Sequence, residues 1–137
     1  MAGLSTFSLA PTRHGARVTL EILINGKPLT AHIARHEGTP VDHISPLGWS
    51  DEARARLALQ APPDLPGGRT SILVCPECGS LSCGAVSAVI DRQGEIVRWR
   101  QLGIANDLGI DGDGPWLFEK VRGFGFSWHA YKAALRV

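Results

Sequence analysis

Apolar and polar residues alternate along RVTLEILI, residues 17–24, so that every second side chain lies on one face of an extended chain. This period of two predicts a strand with one buried face. Asn25-Gly26 follows directly, and KPLTAHI, residues 27–33, resumes the extended pattern. Asn-Gly between two such runs favours a hairpin, because both residues tolerate the positive φ of a type I′ turn. The pattern therefore predicts an N-terminal β-hairpin.

Two segments have helical signals. Ser50 is a suitable N-cap, and Asp51 and Glu52 suit the positive end of a helix dipole, which predicts a central helix over about residues 51–60. The Pro- and Gly-rich stretch that follows cannot continue this helix. Near the end of the chain, Ser127 precedes WHAYKAALR, whose apolar residues recur at helical spacing and predict a C-terminal helix.

The remaining apolar runs predict further strands. TSILVC, residues 70–75, is typical of a buried strand, residues 84–92 and 95–102 predict a second hairpin around Gln93-Gly94, and WLFEKVRGFGF predicts one more strand or an irregular crossing. Joined by hairpins, these elements predict an α+β fold with a mainly antiparallel sheet of about five to six strands, one central helix and one C-terminal helix. Residues 1–16 are predicted to be a partly disordered lead-in, and residues 17–137 a single α+β domain.

Composition narrows the classes of function. The chain has 137 residues with 14 basic and 13 acidic side chains, a net charge of +1, which disfavours a nucleic-acid-binding protein. No apolar run approaches the roughly 20 residues of a membrane span, so no membrane association is expected. The N-terminal segment lacks the pattern of a secretory signal, and three is an odd number of cysteines, which together favour the cytoplasm.

The three cysteines lie within CPECGSLSCG, as Cys75, Cys78 and Cys83, between two predicted strands. Three interpretations stay open: a zinc site, a redox-active or regulatory thiol pair, and a tight loop of reduced cysteines that pack as small apolar residues. CPECG resembles the knuckle of zinc ribbons, but the second CxxC of a ribbon is missing. Zinc, the one cofactor that the sequence suggests, would need a fourth ligand from His129, His43 or His36, or else would keep an open coordination position. We expect His129, because it begins the C-terminal helix and could reach back over the sheet.

His32 and His36 form the only HxxxH pattern of the chain. If the second strand of the hairpin runs through His32, the two imidazoles lie about 13 Å apart, which is too far for one metal ion. We therefore expect both to be surface histidines.

The segment CPECGSLSCGAVSAVIDRQGEIVRWRQLG, together with SPLGW upstream and FGFSWHAYKAAL near the end, resembles a group of short uncharacterised bacterial proteins. These proteins share a CxxCGxLxCGAV core and are sometimes loosely labelled oxidoreductases. The resemblance extends from about residue 17 to the end. It implies a bacterial, single-domain protein and carries no catalytic residue over to this chain.

Walker, Rossmann and nucleophile-elbow motifs are missing from the sequence, so catalytic residues stay unknown and enzyme activity stays an open question. The leading hypothesis is a small cytosolic, non-catalytic module that binds another protein or forms a homo-oligomer. The alternative is a thiol-based redox or zinc-binding protein that uses residues 75–83.

Overall fold

The predicted turn at Asn25-Gly26 forms, with φ angles of 53° and 79°. The computed structural model describes residues 3–77, 79–107 and 114–137. The turn belongs to a three-stranded antiparallel sheet, whose strands in spatial order are β1 (Phe7–His14), β2 (Arg17–Ile24) and β3 (Lys27–Pro28).

Strand β1 lies within residues 1–16, so the structure corrects the predicted disordered lead-in over Phe7–His14. This strand pairs with β2 along its whole length. Pro11 is tolerated inside β1 because β1 is an edge strand, whose outer side needs no N–H donor. Just before β1, Ser5 forms a parallel bridge with Phe126.

A helix replaces most of the predicted second strand of the hairpin. α1 (Leu29–Glu37) begins directly after Pro28 and ends at Gly38, whose φ of 75° stops the helix. Leu29 and Ile33, four residues apart, bury the inner face of this helix. The extended interpretation of KPLTAHI is therefore wrong beyond Pro28.

The helix changes the geometry of the HxxxH pair. The rings of His32 and His36 stack with their centroids 6.5 Å apart, so the predicted 13 Å separation is wrong. His32 is half-buried, and its Nε2 lies 2.8 Å from the carbonyl oxygen of Ile24.

The central and C-terminal helices form where the sequence predicts them. The central helix is α2 (Asp51–Leu57), and the Ser50 hydroxyl accepts a hydrogen bond from the Ala53 N–H at 3.1 Å. The C-terminal helix is α3 (Trp128–Leu135).

The second sheet is built around the predicted second hairpin, whose turn residues are Gly94 and Glu95 rather than Gln93 and Gly94. Its five strands are β4 (Thr70–Leu73), β5 (Ala85–Gln93), β6 (Ile96–Ala105), β7 (Trp116–Leu117) and β8 (Phe124–Ser127). The order is β4-β5-β6-β7, and β8 pairs with the other half of the same edge of β6. The segment WLFEKVRGFGF thus provides two short strands.

The α+β class with antiparallel pairing is confirmed. Within the described ranges, eight strands form two sheets, of three and five strands, and α1 is a helix beyond the two predicted. None of the helices in this part of the chain is long and apolar enough to cross a membrane.

An aromatic cluster fills the space between the first sheet, the second sheet and α3. Tyr131 of α3 lies at its centre, fully buried, and donates a hydrogen bond to the Leu57 carbonyl oxygen at 2.6 Å. The indole Nε1 of Trp99 donates to the Tyr131 hydroxyl at 3.1 Å. The rings of the cluster are those of Phe7, Trp99, Phe124, Phe126, Trp128 and Tyr131.

A buried arginine fixes an irregularity in the second sheet. The β5–β6 register shifts after Ser87, and Gln101, with a φ of 55°, lies in the bulge. Arg69 is 3% exposed and donates to the Ser87 hydroxyl, to the Ser87 carbonyl oxygen and to the Gln101 carbonyl oxygen. The guanidinium thus binds the backbone on both sides of the bulge.

Candidate functional site

The structure brings Cys75 and Cys83 to the same end of the second sheet. Cys75 comes two residues after β4 and Cys83 two residues before β5. The pairing of Leu73 with Val86, continued by two residues, places Cys75 across from Gly84. Cys75 is half-buried and Cys83 is exposed. Cys78 lies outside the described residues.

His43 is the histidine beside this connection. Ile44 pairs with Val74 through two backbone hydrogen bonds of 2.8 and 2.9 Å, so His43 is the neighbour of Cys75 across this bridge. The imidazole Nε2 of His43 lies 3.0 Å from the carbonyl oxygen of Gly84, next to Cys83. An imidazole therefore stands at the base of the cysteine connection, and it is not the one expected.

His129 lies at the opposite end of the second sheet. Its Nε2 is 2.6 Å from the Glu95 carboxylate, in the turn between β5 and β6. The nine residues of β5 separate this turn from Cys83, a distance of roughly 30 Å at the usual rise of a strand. The structure thus corrects the choice of His129 as the fourth metal ligand. His36, the remaining candidate, stacks on His32 on α1.

A metal site needs several ligating side chains grouped around one point. Among residues 3–77, 79–107 and 114–137, no three His, Cys, Asp or Glu side chains are grouped so that they could hold a metal ion. Zinc at the cysteines therefore stays a prediction from the sequence.

The hydrogen bond to Gly84 determines the role of each His43 nitrogen. A carbonyl oxygen only accepts, so Nε2 must carry the proton, and in the neutral ring Nδ1 then has a lone pair. Nδ1 is buried and has no hydrogen-bond partner among the described residues. The nearest charged group is the Asp42 carboxylate, 3.6 Å away and itself 86% exposed.

His43 lines a cleft of about 200 Å³ between the first sheet and residues 41–45. Residues 41–49, which pack on the first sheet, are called the crossing segment. The polar part of the lining comes from β1, β2, α1 and this segment, and it includes Thr12, Glu21, Thr30, Asp42 and His43. Apolar side chains, including Ile22, Leu29 and Leu73, form the rest. One apolar wall with a few converging polar groups is the usual composition of a small-molecule site.

The crossing segment is held on the sheet by close contacts. Thr19 of β2 donates a hydrogen bond to the Ser45 carbonyl oxygen at 2.6 Å. A β-carbon on Gly48 would stand 2.7 Å from the Thr19 Cα, so glycine allows the backbone to approach there. Cation–π contact between Arg17 and Trp49, 4.7 Å from guanidinium to ring centroid, continues the attachment. The cleft therefore has a fixed wall.

Glu21 is the half-buried carboxylate of the cleft. In the part of the chain that the structure describes, its carboxylate has no hydrogen bond or ion pair. Two basic residues, Arg13 and His14, also line the cleft, but both are exposed and lie toward solvent. Sequence reasoning missed Glu21, although the polar face of β2, Thr19 and Glu21, is visible in the alternation of residues 17–24.

Searches of protein-family models, of curated proteins and of solved structures found no significant match to this chain.

Proposed function

We propose that the protein is a non-catalytic binding protein, and that the cleft beside His43 is its binding site for a small molecule. One observation carries the proposal: the buried Nδ1 of His43 and the half-buried Glu21 carboxylate both line the cleft without a partner among the described residues. Buried polar groups are normally paired, so unpaired ones in a cleft favour a ligand that pairs them.

The size of the cleft suits a small ligand. An apolar cavity of about 150 Å³ holds a benzene ring. The cleft, at about 200 Å³, can therefore accept a ring of that size with one polar substituent.

Protein-observed NMR with a library of small fragments tests this function. We expect hits to shift the amide resonances of β2 and residues 41–45. His43→Phe keeps a ring in the wall but removes both nitrogens, and it should weaken these hits about tenfold, as loss of one hydrogen bond to a buried group does. His36→Phe, at an exposed histidine outside the cleft, is the matched control and should bind as the wild type does.

Two results would contradict the proposal. If no fragment shifts the cleft resonances, the cleft is not a binding site. If a bound fragment is chemically converted during overnight incubation, the protein is not merely a binding protein.

Thiol chemistry at residues 75–83 is the second candidate function. The observation that favours it is that Cys75 and Cys83 lie at the same end of the sheet, with His43 as the adjacent imidazole. Elemental analysis of untagged protein tests zinc, and iodoacetamide labelling against pH tests for a thiol that reacts below the ordinary cysteine pKa of about 8.5. If the protein contains no metal and its thiols react only above about pH 8.5, this candidate function is ruled out.

A protein partner or a second copy of the chain would use a different surface. Trp116 and Leu117 of β7 are 54% and 50% exposed, and large exposed apolar side chains are typical interface residues. Light scattering after gel filtration, at rising concentration, tests self-association. A wild type that associates and a Trp116→Ser variant that stays monomeric would support it, whereas a monomeric wild type would contradict it.

A further inference from the structure

Two polar groups of the cleft, His43 Nδ1 and the Glu21 carboxylate, have no partner among the described residues, and both are hydrogen-bond acceptors. We propose that the cleft selects a small organic ammonium ion with an apolar body, such as an aryl- or alkylamine. This inference rests on the proposed function, since it names the ligand class of the same site.

These unpartnered polar groups of the cleft carry a lone pair or a negative charge. His43 Nδ1 offers a lone pair because its partner nitrogen donates to Gly84. Glu21 offers a carboxylate without a partner among the described residues, whereas the Asp42 carboxylate, 3.6 Å from Nδ1, is 86% exposed and lies at the rim. Carboxylates and lone pairs attract N–H donors and repel anions, so the inner part of the cleft complements a cation.

The basic side chains of the lining lie toward solvent. Arg13 and His14, the two basic side chains of the lining apart from His43, are exposed. Water screens charges there more strongly than it screens the half-buried Glu21. Because the exposed Asp42 is screened in the same way, the field that a ligand meets inside the cleft is set mainly by Glu21.

Apolar side chains form part of the wall of the cleft. Val41 and Ile44 border the cleft and keep some accessible apolar surface, and Ile22, Leu29 and Leu73 lie almost completely buried around the same space. A hydrophilic cation without a carbon skeleton would leave this wall uncovered, whereas an amine with a ring or short chain covers it.

The test compares three ligands of nearly equal shape: benzylamine, benzyl alcohol and benzoate. We titrate each into isotopically labelled full-length protein at neutral pH and follow the amide resonances of the cleft. Benzylamine should bind with a Kd of about 1 mM, as expected for a fragment of this size. Benzyl alcohol should bind about tenfold more weakly, and benzoate should show no saturable binding.

A pair of variants identifies the carboxylate. Glu21→Gln keeps the shape of the side chain and should weaken benzylamine about tenfold, while its spectrum stays that of folded protein. Glu52→Gln, on the exposed side of α2, removes the same charge outside the cleft and should leave the affinity unchanged.

The outcomes separate this inference from the function on which it rests. Benzoate binding at least as tightly as benzylamine, or unchanged benzylamine affinity in Glu21→Gln, would overturn the ammonium proposal and leave the cleft as a binding site for another ligand class. Failure of all three ligands, together with every fragment of the library, would overturn both.

Discussion

The hydroxyl group of Tyr131 joins three elements, and its removal is a direct test of the core. In Tyr131→Phe, the Leu57 carbonyl oxygen loses its 2.6 Å donor and the Trp99 indole N–H loses its 3.1 Å acceptor. All three residues are no more than 1% exposed, so water cannot replace the lost partners. Each orphaned buried group costs about 1–3 kcal/mol.

Because the two lost partners share one hydroxyl, their costs should not add fully, and we expect Tyr131→Phe to lower the free energy of unfolding by about 2–4 kcal/mol, with little cavity formed. This is a large part of the 5–15 kcal/mol typical of a domain. At about 4 °C per kcal/mol for a chain of this length, Tm should fall by roughly 8–16 °C.

Urea unfolding followed by circular dichroism measures the change. The midpoint should fall at constant m-value, because the surface exposed on unfolding hardly changes. A double-mutant cycle with Trp99→Phe controls for the loss of packing, and it should give a coupling energy of about 1 kcal/mol. A change of less than about 0.5 kcal/mol in Tyr131→Phe would refute the reasoning.

Three further predictions concern other parts of the structure. Burial raises the pKa of Tyr131, the single tyrosine of the chain, far above its ordinary value, and the hydrogen bond from the Trp99 N–H lowers this pKa by a smaller amount. The absorbance of tyrosinate should therefore appear only as the protein unfolds. The free energy of unfolding should decline above about pH 10, where the tyrosine of the unfolded chain ionises. Desolvation raises the pKa of Glu37, but hydrogen bonds from the N–H groups of residues 119–121 lower it more, so that the net shift is downward. The ionised carboxylate therefore stabilises the fold above the reference value of 4.5, and this stabilisation is lost as the pH falls through the folded pKa. Glu37→Gln should lower the urea midpoint at pH 7 and should reduce the further drop of the midpoint at pH 3. Arg69→Lys cannot span Ser87 and Gln101 with a planar fork, and it should cost about 2–4 kcal/mol in the same assay.

Local signals in the sequence predicted the turns and two of the helices. Asn25-Gly26 specifies a tight turn by itself, Gly94 begins the second turn, which lies at Gly94-Glu95 and so one residue later than predicted, and Ser50 caps α2 by a contact three residues away. Strand β1 was missed because Pro11 obscures the alternation of Phe7 and Leu9 with polar neighbours, and only the edge position in the sheet makes that proline acceptable.

The candidate site depended on contacts that the sequence does not display. The spacing of Cys75 and Cys83 placed them correctly at one end of two neighbouring strands. The bridge between Ile44 and Val74 places His43 beside the two cysteines, and it pairs residues that are 30 positions apart in the sequence. His129 looked suitable only because the direction of α3 relative to β5 could not be known.

The bridge between Ser5 and Phe126 has a consequence for how the chain folds during synthesis. The ring centroids of Phe7 and Tyr131 lie 4.8 Å apart. The apolar face of the first sheet is therefore covered only when residues 126–131 are present. A ribosome that has made only the first hundred residues holds a sheet whose inner face is still in contact with water. Folding of this unit should therefore complete only after residues up to Tyr131 have been synthesised, and shorter nascent chains should expose a surface that chaperones bind.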